Sequence, residues 1–335
     1  SAIKVILYSL IRKYEDGKTT GVMVPTPQYP LYSATISEYS GQLISYYLDE
    51  AQNWGLDLLE CERALSEGSE NSHPKLMVVI NPGNPTGQIL SYENMVNIVK
   101  FCQKNRLILL ADEVYQENIH DEALQFHSFK KVVRDCGFTE NNFALVSFHS
   151  ISKGYYGECG IRGGYMELFG FKKDVKAQIF KLITAQLCSS SCGQVSMETI
   201  VNPPKPCDPS YELFATEREN ILSGFKSKAD VLQCQFNSIP GITCNKIQGA
   251  LYAFPRLHLP DSFIKHAKDL GRQPDEHYCF QLLEEKGICV VPGSGFKQLP
   301  NTYHFRTTIL PPIEEIKDMV KLIAEFTKKL FEEYQ

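Results

Sequence analysis

The sequence lacks the features that mark several classes of protein. It contains no block of like charges, and its formal net charge is −5, so nothing indicates binding to nucleic acid or to an anionic membrane surface. Its longest apolar runs are short, as in LILLA at 107–111, whereas a helix needs about 20 apolar residues to cross a bilayer. With 43% hydrophobic and 22% charged residues, the composition is that of a globular protein with a substantial core.

The cysteines follow no pattern that is typical of a disulfide framework or a metal site. There are 11 of them, an odd number, and none forms a CxxC pair. Cys188 and Cys192 have no pair of histidines at the spacing of a zinc finger, so no metal is expected. Scattered cysteines in a chain of this size indicate reduced thiols, and we expect a reducing compartment, the cytoplasm or the mitochondrial matrix.

Apolar runs and amphipathic helical patterns alternate in the first part of the chain. A helix is predicted over 91–105, because Ser91 is a suitable N-cap and apolar residues follow it at helical spacing. A second helix is predicted near the start, from Ile3 to Ile11. Buried strands are predicted at 21–25, 75–80, 106–113 and 143–150. This alternation is typical of a mostly parallel sheet between layers of helices, so we predict an α/β fold with its ligand site at the strand ends.

Four prolines between 201 and 210 indicate a connector between two domains. After it, the pattern predicts a helix over 211–236 and a C-terminal helix that begins at Ile313. Further strands are predicted at 249–257, 287–292 and 303–310. We therefore predict a large domain over residues 1–208 and a smaller α+β domain over residues 209–335.

Polar side chains follow two of the predicted strands. Asn84 lies in the turn NPGNPTG, where its amide could donate to an oxygen of a ligand, although such turn residues need no function. Asp112 ends the most apolar strand, where a carboxylate requires a cationic or hydrogen-bonding partner. For an isolated Asp, a helix cap or a structural ion pair is a more common explanation than a ligand site. Tyr115 follows three residues later and could offer a phenol to the same place.

Lys153 lies in the stretch SFHSISKGYYGECGIRGGY, among Ser, Gly and Tyr residues. The nearest acidic residue of this stretch is Glu158, five positions later. A partly desolvated lysine can act as a Schiff-base nucleophile, whereas a single lysine more commonly extends to the surface. Ser150, Ser152 and Arg162 of the same stretch offer hydroxyl and guanidinium donors that suit a phosphate group.

Arg306 lies in the otherwise uncharged stretch YHFRTTIL and needs an anion, either a substrate carboxylate or a carboxylate of the other domain. Each of these signals is weak or moderate alone. Together they meet the needs of one cofactor, pyridoxal 5′-phosphate. It requires a carboxylate for its pyridine nitrogen, donors for its phenolic oxygen, a lysine for its imine and donors for its phosphate.

The motifs and their order resemble the fold-type-I aminotransferases that are related to aspartate aminotransferase. NPGNPTG, DEVY, SISK and a C-terminal FR strand follow one another here. Longer stretches, such as PTPQYPLYSA, LLADEVYQEN and QGALYAFPR, are most similar to the alanine aminotransferase branch of that family. The resemblance extends from about residue 3 to the C-terminus, and it implies that the large domain binds pyridoxal phosphate.

The resemblance implies roles for five residues around the cofactor ring. Lys153 would be the catalytic Schiff-base lysine and proton shuttle, and Asp112 would keep the pyridine nitrogen protonated. Asn84 and Tyr115 would bind the phenolic oxygen. Tyr29 would stack on the ring, although a core tyrosine is the alternative for this residue.

The resemblance also implies roles at the phosphate and at the substrate. Ser150 and Arg162 would bind the phosphate, and Arg306, with Asn84, would bind the α-carboxylate of the amino acid. A Gly-Ala-Ser turn and an N-terminal segment of the family would precede Ser1, so we expect this chain to lack them.

The implied reaction is transamination, in which L-alanine and 2-oxoglutarate give pyruvate and L-glutamate by a ping-pong mechanism. The implied assembly is a homodimer whose partners are small amino and oxo acids, with no nucleic acid and no membrane. A glutamate–glyoxylate or kynurenine-type aminotransferase stays open as an alternative. A non-catalytic truncated fragment or isoform stays open as well.

Overall fold

The computed structural model of the chain describes residues 2–334, so Ser1 and Gln335 lie outside the described residues. Its helices are α1 (Ala2–Leu10), α2 (Pro30–Glu38), α3 (Leu58–Asn71), α4 (Tyr92–Asn105), α5 (Phe129–Asp135), α6 (Lys173–Thr184), α7 (Ser191–Val201), α8 (Tyr211–Phe236), α9 (Asp261–Asp269), α10 (Pro274–Lys286) and α11 (Ile313–Glu333). Its strands are β1 (Thr19–Thr26), β2 (Gln42–Asp49), β3 (Gly55–Leu56), β4 (Ser72–Ile80), β5 (Ile108–Asp112), β6 (Leu145–Ser150), β7 (Gly164–Phe169), β8 (Ile242–Thr243), β9 (Tyr252–Ala253), β10 (Arg256–Leu257), β11 (Val291–Pro292) and β12 (Phe305–Thr308). Within this range, no helix combines the length and the apolar character needed to cross a membrane.

Seven strands form one sheet in the order β3-β2-β1-β4-β5-β6-β7. The five central strands run parallel, and β3 and β7 pair antiparallel at the two edges. The chain leaves β1 for β2 on one side and later returns to β4 on the other side. The strand order therefore reverses between β1 and β4, and ligands of such sheets bind at this reversal, beyond the carboxyl ends of the strands.

Helices cover both faces of the sheet. Successive side chains of a strand point to opposite faces, so β5 sends Leu109 into one apolar cluster and Leu110 into the other. The first cluster is closed by α3, α4 and α5, and the second by α1, α2 and α6. The predicted α/β architecture, a mostly parallel sheet between helices, is confirmed.

The C-terminal part of the chain has an apolar cluster of its own. Its buried members run from Ala229 to Leu330 and come from α8 to α11 and the short strands between them. These strands form a three-stranded sheet, β11-β12-β9, and a two-stranded sheet, β10-β8. This is the smaller α+β unit expected from the sequence, and the domain division at 208/209 stays a prediction.

The long helices lie close to their predicted positions. Helix α8 has the predicted bounds, and α11 begins at the predicted Ile313. Ser91 caps α4 as expected, since its hydroxyl accepts a hydrogen bond from the backbone N of Asn94 at 3.1 Å. The predicted strand at 249–257 was too long, because Pro255 lies between the two-residue strands β9 and β10 and has no N–H to donate.

Candidate active site

Four predicted site residues lie at one edge of the large sheet. Tyr29 follows β1, Asn84 follows β4, Asp112 ends β5, and Lys153 follows β6. These four strands are parallel neighbours, so their carboxyl ends are adjacent. The topology therefore brings together residues that are up to 124 positions apart in the sequence.

The amine of Lys153 is held by a tyrosine from the C-terminal part. Its Nζ donates a hydrogen bond to Oη of Tyr252, on β9, at 2.9 Å. Oη of Tyr115 donates to the same oxygen at 3.4 Å, and the two tyrosine rings meet edge to face with centroids 5.9 Å apart. The lysine is half-buried, which is the partly desolvated setting that a nucleophilic amine needs.

Asn84 extends this set of contacts to Arg306. Its amide Nδ2 donates to Oη of Tyr115 at 3.4 Å, and its Oδ1 accepts a hydrogen bond from Nη1 of Arg306 at 3.1 Å. Lys153, Tyr252, Tyr115, Asn84 and Arg306 are thus connected without a break, and we call these five residues the site network.

The guanidinium of Arg306 lies between two aromatic rings. Its Cζ is 4.3 Å from the ring centroid of Tyr252 and 4.7 Å from that of Phe296. A guanidinium carries five N–H donors in a planar fork, and Asn84 accepts from only one of its nitrogens. The rings fix the plane of the fork and leave its other donors for a carboxylate.

Asp112 is a buried carboxylate without a cation beside it in the described part of the chain. Its side chain accepts a hydrogen bond from Oη of Tyr32, on α2, at 2.9 Å. Burial raises the pKa of Asp112 to about 6, although the bonds from Tyr32 and from the backbone of Val114 oppose that rise. Burial also raises the pKa of Tyr115, and the neighbouring Tyr252 and Asp112 add to this rise.

A paired hydrogen bond fixes the backbone beside the lysine. Asn118 is fully buried, and its Oδ1 accepts from N of Gly154 at 3.0 Å while its Nδ2 donates to O of Gly154 at 3.1 Å. Gly154 has φ +73°, a conformation that L side chains rarely adopt. The position of Lys153 therefore depends on a residue of the preceding loop.

Besides Asp112, three residues to which the resemblance assigns a role lie outside the site network: Arg162, Ser150 and Tyr29. Arg162 is exposed, and its Nη1 donates to the carbonyl of Cys159 in its own loop at 2.8 Å. Oγ of Ser150 accepts from the backbone N of Ser152 at 3.3 Å. Tyr29 is 39% exposed and lies between β1 and α2. Their assignments to phosphate and ring binding stay predictions.

The residues present fit pyridoxal phosphate at its ring and at its reactive carbon. A buried carboxylate such as Asp112 requires a positive partner, and a protonated pyridine nitrogen would supply one. The site network offers an amine at Lys153 and amide and phenol donors at Asn84 and Tyr115. The donors for a phosphate lie on the loop after β6, where Arg162 has only a backbone carbonyl as partner.

Sequence reasoning missed three residues that position this site: Tyr32, Asn118 and Tyr252. Tyr252 stands in GALYAFPR, where an aromatic residue between apolar neighbours indicates core packing. Tyr32 follows Tyr29 by three positions, which places both near the same helix start. A polar residue that directly follows DEVYQE was the available signal for Asn118.

Comparison with known proteins gives a family match over most of the chain. The sequence model of the family described as aminotransferase class I and II matches residues 6–323. Alanine aminotransferase 2, mitochondrial, of Arabidopsis thaliana is 48% identical over 335 residues, which cover 100% of this chain and 61% of that protein. Alanine aminotransferase 1 of Bos taurus is 48% identical over 322 residues, which cover 95% of this chain and 65% of that protein. The chain thus spans about three fifths of the length of these curated relatives.

Solved structures share the fold. An aminotransferase from Escherichia coli superposes with a TM-score of 0.80 at 26% identity, covering 98% of this chain and 74% of that chain. Alanine aminotransferase from Pyrococcus furiosus also gives a TM-score of 0.80, at 23% identity and with the same coverage of both chains. The predicted fold-type-I architecture is confirmed by these likenesses.

Proposed function

The chain belongs to the aminotransferase class I and II family, and we propose that it transfers the amino group of L-alanine to 2-oxoglutarate with pyridoxal 5′-phosphate as its cofactor. The products would be pyruvate and L-glutamate. The site network carries this proposal, because it joins an amine at Lys153 to a carboxylate-binding side chain at Arg306 through one amide and two phenols. The names of the relatives, alanine aminotransferases, support the choice of substrate.

Four residues would hold the cofactor ring and its reactive end. Asp112 would accept a hydrogen bond from the protonated pyridine nitrogen, and Tyr32 would keep the carboxylate in place. Asn84 and Tyr115 would donate to the phenolic oxygen, which would replace Oη of Tyr115 and Oη of Tyr252 as the acceptors of their present hydrogen bonds. When bound, the cofactor supplies an aldehyde that an amine can attack and a ring that accepts the electron pair released at the substrate Cα.

Lys153 and Arg306 would do the work at the substrate. Arg306 binds the α-carboxylate through two parallel N–H donors, which orients the Cα–H bond relative to the ring. Lys153, as a free amine, then takes the proton from Cα. It would deliver a proton to the cofactor carbon that is bonded to the amino nitrogen. The second half-reaction runs these steps in reverse with 2-oxoglutarate, which gives ping-pong kinetics.

The phosphate would bind at the loop after β6. Ser150 would donate its hydroxyl, and Arg162 would exchange the carbonyl of Cys159 for the doubly charged phosphate, which is the stronger partner for a guanidinium. Tyr29, exposed at the mouth of the site, would cover the ring.

We extend the proposal to organisation and location. Residues 1–208 would form the cofactor-binding domain and 209–335 the smaller domain, in agreement with the separate apolar cluster of the C-terminal part. Large apolar side chains on and beside α6, α7 and α8 are exposed and would be covered in a homodimer: Phe180, Leu187, Val195, Val201 and Leu213. The compartment would be the cytoplasm or the mitochondrial matrix.

Replacing the lysine tests the cofactor site. The protein mixed with pyridoxal phosphate is expected to show a visible absorption band that changes when L-alanine is added. Lys153→Ala should remove that band and lower the rate of transamination by at least about a thousandfold, because no amine is left to hold the cofactor or move the proton. Lys104→Ala is the matched control, since Lys104 is exposed and pairs with Glu62 on the surface.

Three results would contradict the proposal. A band that survives in Lys153→Ala would mean that another amine binds the cofactor. A higher kcat/KM for kynurenine or aspartate than for L-alanine would assign the chain to another branch of the family. A wild-type protein that gives neither band nor activity would favour the non-catalytic alternative.

A further inference from the structure

Tyr252 lies where three parts of the site network meet. Its hydroxyl accepts hydrogen bonds from Nζ of Lys153 at 2.9 Å and from Oη of Tyr115 at 3.4 Å. Its ring lies 4.3 Å from Cζ of Arg306. It is therefore the one residue of the network that touches both the amine and the guanidinium.

The hydroxyl of Tyr252 is set up to accept hydrogen bonds. Burial acts to raise the pKa of Tyr252, but the bonds from Lys153 and Tyr115 and the charge of Arg306 together lower it. The neighbouring phenol of Tyr115 donates, and its own pKa is raised. The two phenols are therefore not equivalent, and Tyr252 is the one whose oxygen accepts a hydrogen bond from the lysine amine.

The ring of Tyr252 has a separate function. Together with Phe296 it encloses the guanidinium of Arg306 from two sides, at 4.3 Å and 4.7 Å. Tyr252 is held in place by its strand, because its backbone pairs with Thr308 of β12, two residues from Arg306 itself. Ring and guanidinium thus belong to adjacent strands of one small sheet, which fixes their spacing.

We propose that Tyr252 is a positioning residue of the transamination site, whose hydroxyl holds the free amine of Lys153 and whose ring orients Arg306 toward the substrate carboxylate. This rests on the proposed function. The lysine amine must be free whenever the amino acid occupies the cofactor, and a mobile four-carbon side chain then needs an acceptor that keeps it near Cα. Tyr252 is that acceptor in this chain.

Two replacements separate the two roles. Tyr252→Phe removes the hydroxyl and keeps the ring, whereas Tyr252→Leu removes both. Tyr92→Phe is the matched control, because Tyr92 is an exposed tyrosine whose hydroxyl donates to Asp135 outside the site. All variants are compared by circular dichroism, and Tyr252→Phe, which is nearly isosteric, keeps the test decisive if Tyr252→Leu folds poorly.

The first measurement follows the change of the cofactor band after L-alanine is mixed with the loaded protein. In Tyr252→Phe, the rate of this change at saturating alanine should fall about ten- to a hundredfold, the usual loss for a hydrogen bond to a charged group. The alanine concentration for half-maximal rate should stay within about twofold of wild type. In Tyr252→Leu, that concentration should rise about tenfold as well, because Arg306 loses one of its two rings.

The second measurement needs no cofactor. Acetic anhydride labels free amines, and peptide mass spectrometry reports the extent at Lys153 and, as an internal reference, at exposed Lys104. Loss of its hydrogen bond should raise the labelling of Lys153 in Tyr252→Phe about three- to tenfold relative to Lys104. Tyr92→Phe should label like wild type.

The outcomes distinguish this inference from the proposed function. If wild type forms the cofactor band but Tyr252→Phe matches Tyr92→Phe in both rate and labelling, the role of Tyr252 is wrong and the proposed function stands. If wild type forms no band, the proposed function fails and the positioning role of Tyr252 fails with it. Labelling that changes together with the rate supports the inference.

Discussion

At the scale of single residues, the proposed role of Asp112 as the partner of a cationic ligand has a cost in the ligand-free protein. The carboxyl is buried, and its pKa is raised from 3.8 to about 6. A group whose pKa is higher in the folded state binds protons more readily there, so its ionisation opposes folding. The penalty is absent below pH about 4, grows between pH about 4 and 6, and is complete above pH about 6. The burial that the proposed function of Asp112 requires thus lowers the stability of the cofactor-free protein.

Asp112→Asn should therefore stabilise the cofactor-free protein at pH 7.5 by up to about 3 kcal/mol, since a shift of roughly two pKa units corresponds to that energy. Asparagine keeps an oxygen that can accept from Tyr32. The difference from wild type, measured by urea unfolding, should shrink as the pH falls from 7.5 to 4.5. The same variant should bind pyridoxal phosphate more weakly, because the pyridine nitrogen loses its partner.

The control for this prediction is Asp57→Asn, at the N-cap of α3, where the two side chains are about equally good caps. It should change stability by less than about 0.5 kcal/mol at either pH. If Asp112→Asn is no more stable than wild type at pH 7.5, ionisation of the buried Asp112 does not destabilise the folded protein.

At the scale of elements, the sequence predicted the bounds best where the apolar spacing repeats over many residues. Helix α8 has 26 residues, and its bounds were predicted correctly, because a repeated spacing over many turns leaves one interpretation. The two-residue strands β9 and β11 were overestimated, since a short apolar run does not reveal how many of its N–H groups find a strand partner. Tyr252 lies in such a run, so its role depends on tertiary contacts that periodicity does not encode.

The loop that carries Lys153 gives a prediction at this scale. Asn118 makes both side-chain hydrogen bonds to the backbone of Gly154, the residue after the lysine. Asn118→Ala would leave two buried backbone groups without partners, which should lower the free energy of unfolding by about 2–4 kcal/mol. Because the lysine loop loses its support, the Kd for pyridoxal phosphate, measured from the absorption band, should rise at least about tenfold.

The chain contains a matched control for Asn118. Asn237 makes the same pair of bonds to the backbone of Cys244, with both distances 2.9 Å, in the C-terminal part. Asn237→Ala should lower stability and leave the affinity for pyridoxal phosphate within about twofold of wild type. If both variants weaken cofactor binding equally, the effect of Asn118 is general destabilisation and not support of the lysine loop.

At the scale of the whole molecule, the candidate site depends on two parts of the chain. Lys153 and Asn84 come from the large sheet, whereas Tyr252 and Arg306 come from the C-terminal part. The strand-end residues could be predicted because parallel strands share one edge, and the pairing of Arg306 with Asn84 could not, because it depends on how the two parts meet. The interactions that hold the C-terminal part against the large sheet therefore also hold the candidate site together.

Glu50 is a main point of that contact. It follows β2, and its carboxylate pairs with Nη1 of Arg256 at 3.0 Å and with Nε2 of His304 at 3.1 Å. Its carbonyl accepts from Nδ2 of Asn245 at 2.6 Å. His304 is buried against Phe254, with ring centroids 4.7 Å apart, and precedes Arg306 by two residues. The contact of Glu50 with His304 therefore lies close in sequence to Arg306, the arginine proposed to bind the substrate.

Glu50→Gln should loosen this contact without a change in size. Burial acts to raise the pKa of Glu50, but His304 and Arg256 outweigh it and lower the pKa below 4.5. A lowered pKa means that the ionised group stabilises the folded state above pH about 4.5, and that this contribution is lost as the pH falls through the folded-state value. At pH 7.5 the variant should be less stable by about 2 kcal/mol in urea unfolding, the usual loss for a hydrogen-bonded charge. Its KM for L-alanine should rise more than its kcat falls, because Arg306 is less well placed.

Glu314→Gln, which changes an exposed carboxylate paired with Lys317, should alter none of these values. If the stability difference between Glu50→Gln and wild type is the same at pH 3.5 as at pH 7.5, the ion pair is not what joins the two parts, and the contact depends on the apolar packing around Phe254 instead.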